Sequence, residues 1–164
     1  LRAWARSAGH HPGWRLAIVG SGDKRDLAAL AARLGIAASV DLEDASRDVR
    51  SELLRSSVLA LTSRYEGFGM VLVEAMTCGL PVVSFDCRSG PSDIVRDGED
   101  GWLVRSGDVG AFAARLDALV SDPALRRAMG AAAFANVRRF DEDLVMRRWL
   151  ALFEEAVADR VRRR

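Results

Sequence analysis

The stretch SRYEGFGMVLVEAMTCGLP, residues 63–81, joins a glycine-flanked turn to a short apolar helix. Gly67-Phe68-Gly69 predicts the turn, and Gly79 predicts the end of the helix. Two glutamates stand in this segment: Glu66 precedes the turn, and Glu74 lies among apolar residues. Those neighbours predict that Glu74 is buried, and a buried carboxylate requires hydrogen-bond donors as partners.

Short apolar strands and amphipathic helices alternate on both sides of this segment. The predicted strands cover residues 15–19, 39–42, 58–61, 82–85 and 101–104. The predicted helices run from Asp23 to Gly35, from Ser46 to Leu54, through the apolar part of the quoted segment to Gly79, and from Pro91 to Val95. This alternation predicts an α/β fold with a parallel sheet, right-handed crossovers and helices on both faces.

A tail of helices follows the sheet region, which is predicted to span about residues 14–107. Asp108 and Asp122 can cap two helices, and Asp141 begins a third. The helical tail therefore covers about residues 108–162. Because no repeat, low-complexity tract or linker divides the chain, all 164 residues are predicted to form a single domain.

The first residues indicate that the chain continues upstream. Residues 1–6 read as part of an amphipathic helix that lacks both an N-cap residue and an initiating Met. We therefore expect the chain to be a piece of a larger protein.

Basic and acidic residues are nearly balanced, 24 against 23, and the net charge is +1. The basic residues are spread along the chain, which argues against a nucleic-acid-binding surface. Their one cluster is the terminal run from Asp159 to Arg164. Its arginines suit the negative end of a helix dipole, which is the interpretation we favour, although such a run can also make peripheral contact with an anionic membrane.

The cysteines and histidines lack the spacing of metal ligands or of a disulfide framework. Cys78 and Cys87 lie among apolar or small residues, and the two histidines are the adjacent pair His10 and His11. We therefore predict neither a metal nor another cofactor. No apolar run is long enough to span a bilayer and no leader is visible, so we expect a cytoplasmic location, with contact at the inner face of the membrane left open.

The candidate site lies in the loops after the predicted strands, because ligands of open parallel sheets bind beyond the carboxyl ends of the strands. Glu66 lies in one of these loops. The turn at 67–69 leads into a helix whose free N–H groups and dipole can bind a phosphate or a sugar. Glu74 can point back toward the helix start, where the two hydroxyls of a ribose would satisfy its carboxylate. A backbone N–H, Arg88 or Arg96 would serve equally well, and the residues alone leave this choice open.

Residues 63–81, together with SFDC at 84–87 and Ser89-Gly90-Pro91, strongly resemble the nucleotide-sugar-binding half of glycosyltransferase family 4. These are retaining enzymes of the two-domain GT-B fold. The family signature is a glutamate, seven residues and a second glutamate, which Glu66 and Glu74 satisfy. The resemblance covers nearly the whole chain. It implies a Rossmann-like domain, the C-terminal donor-binding half of a GT-B fold, without the N-terminal acceptor domain.

The resemblance implies a role for each residue of the candidate site. Glu66 would act at the donor sugar, where it stabilises and orients rather than forming a covalent bond. Glu74 would hold the ribose hydroxyls, and Asp44 would lie near the base. The donor sugar and its diphosphate would also contact the turn and the start of the next helix, at Gly67, Phe68, Gly69, Met70 and Val71.

The implied reaction transfers a sugar from a nucleoside diphosphate to an acceptor hydroxyl with retained anomeric configuration, as in hexosyltransferases of cell-surface glycan or glycoconjugate synthesis. The departing phosphate would help to deprotonate the acceptor on the same face, and stabilising the developing charge is the main work of such a site. A UDP-sugar is the favoured donor. The acceptor would be a glycan, a lipid-linked molecule or a small molecule.

Three departures from the family pattern affect what the chain can do alone. The family's diphosphate-binding arginine and lysine precede the helix with which this chain begins, and the acceptor domain is missing as well. Glu43 and Asp44 also stand where a glycine usually follows the second strand, near the expected base pocket. We therefore expect the isolated chain to bind a donor weakly and to catalyse little or nothing. The final helix, from Arg147 to Val161, is expected to cross to the missing domain.

Two other classes of function compete with the transferase interpretation. A nucleotide-binding module without chemistry would suit a fragment or a degenerate partner subunit. A dinucleotide-binding domain would suit Gly20 and Gly22 after the first strand, with Asp41 further on, but Arg25 occupies the third glycine position. Affinity for NAD⁺ distinguishes this last class.

Overall fold

The computed structural model describes residues 1–7 and 11–163, so His10 and Arg164 lie outside the described part of the chain. Its strands are β1 (Leu16–Val19), β2 (Val40–Glu43), β3 (Leu59–Leu61), β4 (Val82–Asp86) and β5 (Gly101–Arg105). Its α-helices are α1 (Arg2–Ser7), α2 (Arg25–Arg33), α3 (Val49–Leu54), α4 (Met70–Thr77), α5 (Pro91–Ile94), α6 (Val109–Ser121), α7 (Pro123–Val137) and α8 (Glu142–Arg162). The predicted alternation of strands and helices, followed by a helical tail, is confirmed.

The strands pair in parallel, as predicted, but they form two sheets instead of one. β1 pairs with β2, placing Leu16 opposite Val40. A second sheet runs in the order β3-β4-β5, with Val82 between Leu59 and Gly101. Side chains of β1 alternate between half-buried and exposed, whereas the first three residues of β4 are buried. The packing is therefore centred on β4.

β4 separates two hydrophobic clusters, because successive side chains of a strand point to opposite faces of the sheet. Val82 packs with α4 and α7 on one face, and Val83 packs with α6 on the other. The buried residues of the first cluster are Leu53, Leu72, Ala75, Met76, Leu80, Val82, Ile94, Val95, Ala133 and Val137. Those of the second are Val83, Trp102, Val104, Phe112, Leu116, Leu119 and Met129. Helices thus cover both faces of this sheet.

Aspartates cap the first two helices of the tail, as the sequence predicts. Asp108 accepts a hydrogen bond from the N–H of Ala111 at 2.9 Å. Asp122 accepts hydrogen bonds from the N–H groups of Ala124 and Leu125, at 2.8 and 3.0 Å. Each cap satisfies N–H groups that the start of a helix otherwise leaves without acceptors.

Two helices of the sheet region begin later than predicted. α2 begins at Arg25, and Asp23 forms a turn before it by accepting the Arg25 N–H at 2.9 Å. α3 begins at Val49, where Asp48 caps the helix by accepting the Ser51 N–H at 3.0 Å. In both places a short acidic side chain bonds to nearby backbone and sets the boundary.

α8 is exposed along most of its length. From Met146 to Arg160 every side chain is exposed. The large apolar residues among them are Met146, Trp149, Leu150, Leu152, Phe153 and Val157. Within residues 1–7 and 11–163, no helix combines the length and apolar character needed to cross a membrane.

Candidate functional site

α4 buries one face and leaves another open. Leu72, Ala75 and Met76 are buried, whereas Met70 and Glu74 are exposed. Residues four apart on a helix are neighbours, so Met70 and Glu74 share the open face. The prediction that Glu74 is buried was therefore wrong. Its neighbours in sequence are apolar, but only part of the helix circumference faces the sheet and α7.

The Glu74 carboxylate has neither a hydrogen bond nor an ion pair with any described residue. Arg96, which was one alternative partner, lies 3.9 Å from Glu99 instead. Arg88, the other, forms no ion pair with Glu74. The carboxylate is thus available to a ligand, without a competing contact from the part of the chain that the structure describes.

The start of α4 presents free backbone donors. Gly69 is the N-cap, with φ +98°, a left-handed conformation that favours glycine. It is buried: a Cβ at this position would lie 3.2 Å from Leu72 Cδ1 and 3.6 Å from Ile94 Cδ1. The N–H groups of Met70 and Val71 have no acceptor among the described residues. These donors and the positive end of the helix dipole are suited to an anion.

Glu66 lies in the loop after β3, as predicted. It is half-buried and has no hydrogen-bond or ion-pair partner within the described ranges. Tyr65, next to it, forms an isolated parallel bridge with Arg88, so the loop after β3 runs beside the loop after β4. Along the chain, Glu66 precedes the 67–69 turn and Glu74 follows it within α4.

The loop after β4 supports this turn. Ser89 and Gly90 both adopt positive φ, +69° and +96°. A Cβ at Gly90 would lie 2.1 Å from the carbonyl oxygen of Phe68, so the two loops touch through backbone atoms. The Phe68 ring in turn lies 5.6 Å from the ring of Phe140 in the tail. Reasoning from the sequence did not find this last contact.

The loops after β1 and β2 meet through an ion pair. Lys24 Nζ lies 2.5 Å from Asp44 Oδ1, and this hydrogen bond holds the pKa of Asp44 below its ordinary value. The adjacent Glu43 lies 3.5 Å from Arg55. Asp44 is thus exposed but paired with Lys24. Sequence reasoning missed Lys24, although a basic residue just after the glycine turn that ends β1 was a usable signal.

Known proteins resemble this chain in sequence. The family model described as "Glycosyl transferases group 1" matches residues 1–135. An exopolysaccharide phosphotransferase of Streptomyces coelicolor is 39% identical over 162 residues, which are 98% of this chain and 17% of that protein. The amylovoran biosynthesis glycosyltransferase of Erwinia amylovora is 35% identical over 141 residues, which are 85% of this chain and 40% of the relative.

The fold also matches a solved structure. A mutant of TarM from S. aureus, in complex with fondaparinux, α-GlcNAc-glycerol and UDP, superposes with a TM-score of 0.85 and 26% identity, covering 92% of this chain and 31% of that one. The chain thus spans less than half the length of each of these three proteins. Fold, signature glutamates and family match agree: the chain belongs to the glycosyl transferases group 1 family, glycosyltransferase family 4, and forms the C-terminal domain of its GT-B fold.

Proposed function

We propose that this chain binds the nucleoside diphosphate of a sugar donor, preferably a UDP-sugar, and that the whole protein transfers the sugar to an acceptor hydroxyl with retention. One observation carries the proposal. Glu66 and Glu74, on either side of the 67–69 turn, have no partners among the described residues, and the turn leads into free N–H groups. Such a segment offers both carboxylate acceptors for hydroxyls and N–H donors for phosphate.

The start of α4 binds the diphosphate in this proposal. The N–H groups of Met70 and Val71 donate to phosphate oxygens, and the helix dipole adds partial positive charge. Gly67 leaves room for the phosphates, because a Cβ there would meet no heavy atom within 4 Å. Phe68 is 38% exposed, and in this proposal its ring lies beside the bound donor.

Glu74 binds the ribose. An ionised carboxylate only accepts hydrogen bonds, and the two neighbouring ribose hydroxyls supply two donors. Helical side chains tilt toward the N-terminal end of the helix. The Glu74 carboxylate therefore points toward the start of α4, where the phosphates bind in this proposal. Asp44, held by Lys24 near the ends of β1 and β2, is the residue that we assign to the base.

Glu66 acts at the sugar. As the bond between the anomeric carbon and the phosphate oxygen breaks, positive charge develops on the ring, and a nearby carboxylate stabilises it. The acceptor oxygen bonds to the anomeric carbon on the same face, and its proton passes to the departing phosphate. Glu66 forms no covalent bond in this scheme.

A second domain completes the whole protein in this proposal. That domain supplies the acceptor site, and the stretch of α8 from Arg147 to Val161 crosses to it, which would cover the exposed Trp149 and Phe153. The isolated chain then binds a donor without turnover. The names of the two relatives, an exopolysaccharide enzyme and an amylovoran enzyme, support a place in cell-surface glycan synthesis.

Calorimetric titration of the 164-residue chain with UDP, GDP, ADP and NAD⁺ tests the donor site. We expect UDP to bind most tightly and NAD⁺ not to bind. Tightest binding of NAD⁺ would favour a dinucleotide-binding domain instead, and a folded chain that binds no nucleotide would refute the proposal. Nucleotide binding without sugar transfer by the whole protein would favour a binding module.

A further inference from the structure

An aromatic pair joins the helical tail to the turn at 67–69. Phe140 ends a short 3₁₀ turn, Arg138–Phe140, between α7 and α8. Its ring lies 5.6 Å from the ring of Phe68, edge to face at 86°. Phe68 is the middle residue of the turn. Through Phe140 the tail therefore contacts the segment that is proposed to bind the diphosphate.

Arg139 fixes the position of Phe140. Its Nη2 donates to the carbonyl oxygens of Asp93 and Ile94, at 2.6 and 3.0 Å, near the end of α5. A guanidinium suits the carbonyl groups at a helix end. The same guanidinium lies 4.3 Å from the centre of the Phe140 ring. Arg139 therefore ties the tail to α5 and holds the ring that contacts Phe68.

A buried amide strengthens this tie. Asn136 Nδ2 donates to the Ile94 carbonyl at 3.1 Å and to the Asp100 carboxylate at 2.6 Å. Ile94 itself packs beneath the turn, since its Cδ1 lies 3.6 Å from where a Cβ on Gly69 would stand. The turn is thus supported from below by Ile94 and from the side by the Phe140 ring.

We propose that Phe140 is a positioning residue for donor binding, holding the 67–69 turn so that the Met70 and Val71 N–H groups face the diphosphate. This inference rests on the proposed function. A turn with glycines on both sides of Phe68 has wide backbone freedom, and an ordered contact on its one large side chain restricts that freedom. Arg139 contributes indirectly, by holding the ring of Phe140.

UDP affinity of the full 164-residue chain tests the role in binding. Phe140→Ala should weaken UDP binding about three- to tenfold, the range expected for loss of one aromatic pair. Phe134→Ala is the matched control, because Phe134 lies in α7 and is 50% exposed. It should leave the affinity unchanged.

A double-mutant cycle separates positioning from a general loss of packing. If Phe140 acts through Phe68, then Phe140→Ala should cause no further loss of UDP affinity in a Phe68→Ala background. An equal loss in both backgrounds would overturn the proposal, since it would show that Phe140 acts by another route.

Hydrogen exchange without ligand tests the positioning itself. Phe140→Ala should raise exchange at the amides of residues 66–71 and leave β5 unchanged, whereas Phe134→Ala should change neither region. Unchanged exchange at residues 66–71 would overturn the inference even if UDP binds. If exchange rises at residues 66–71 but the wild-type chain does not bind UDP, the contact between Phe140 and the turn is supported and the proposed donor site is refuted.

Discussion

The carbonyl oxygen of Phe68 rests against Gly90, so closely that a Cβ on Gly90 would lie 2.1 Å from it. Gly90 also has φ +96°, a conformation that L side chains rarely adopt. The loops that follow β3 and β4 are therefore locked together through backbone atoms. Glycine at position 90 permits this backbone contact with Phe68, which positions the 67–69 turn.

Gly90→Ala should lower the free energy of unfolding by more than about 2 kcal/mol, because it adds both backbone strain and a clash with backbone that cannot move freely. Urea denaturation measures the change. Gly20→Ala is the control: Gly20 has no positive φ, and a Cβ there meets nothing within 4 Å. Equal effects of the two substitutions would contradict the packing described for Phe68 and Gly90.

The order and type of the helices and strands could be predicted from the sequence because their signals are local. Apolar runs mark the strands, and Asp108 and Asp122 mark helix starts, whatever the distant surroundings. The prediction that Glu74 is buried was wrong because it considered only the apolar neighbours in sequence. Which face of α4 is covered depends on where α7 and the sheet pack against it. The contact between Phe68 and Phe140 was not foreseen for the same reason: it joins two elements whose meeting no local pattern encodes.

Asp122→Ala should lower the free energy of unfolding by about 1–2 kcal/mol, because the carboxylate accepts two N–H groups at the start of α7. Thermal or urea denaturation measures this loss. Ser121→Ala removes an exposed neighbouring side chain and should change stability by less than about 0.5 kcal/mol. A similar effect of both substitutions would mean that the cap does not contribute.

Asp100 should make stability depend on pH. Burial raises the pKa of this carboxyl above its ordinary value of 3.8. The folded state therefore binds the proton more tightly than the unfolded state, so the contribution of Asp100 is most favourable below pH 3.8 and falls as the pH rises through that value to the raised pKa.

Asp100→Asn removes this titration. The stability of the wild-type chain relative to the variant should therefore decline as the pH rises through 3.8 toward the raised pKa, as followed by urea midpoints across a pH series. Taking the difference cancels the titration of the other carboxyls. A difference that stays constant, or that grows with pH, would contradict the raised pKa of Asp100.

The residues of the candidate site could be predicted from the sequence, but the contacts around them could not. The spacing of Glu66 and Glu74 and the glycines between them are visible in the sequence. The sequence does not show that both carboxylates lack partners among the described residues, because this depends on how far arginines such as Arg88 and Arg96 lie from them in the fold. The assigned roles of these residues in donor binding stay predictions.

The ribose-binding role of Glu74 is tested most directly by the UDP affinity of the Glu74→Ala chain, measured by calorimetry together with its melting temperature. Glu74 is exposed and has no described partner, so the melting temperature should stay within about 2 °C of the wild-type value. UDP binding should weaken at least about thirtyfold, because two hydrogen bonds to a charged acceptor are lost. An unchanged UDP affinity, with or without a change in stability, would contradict the account of Glu74 as the ribose-binding residue.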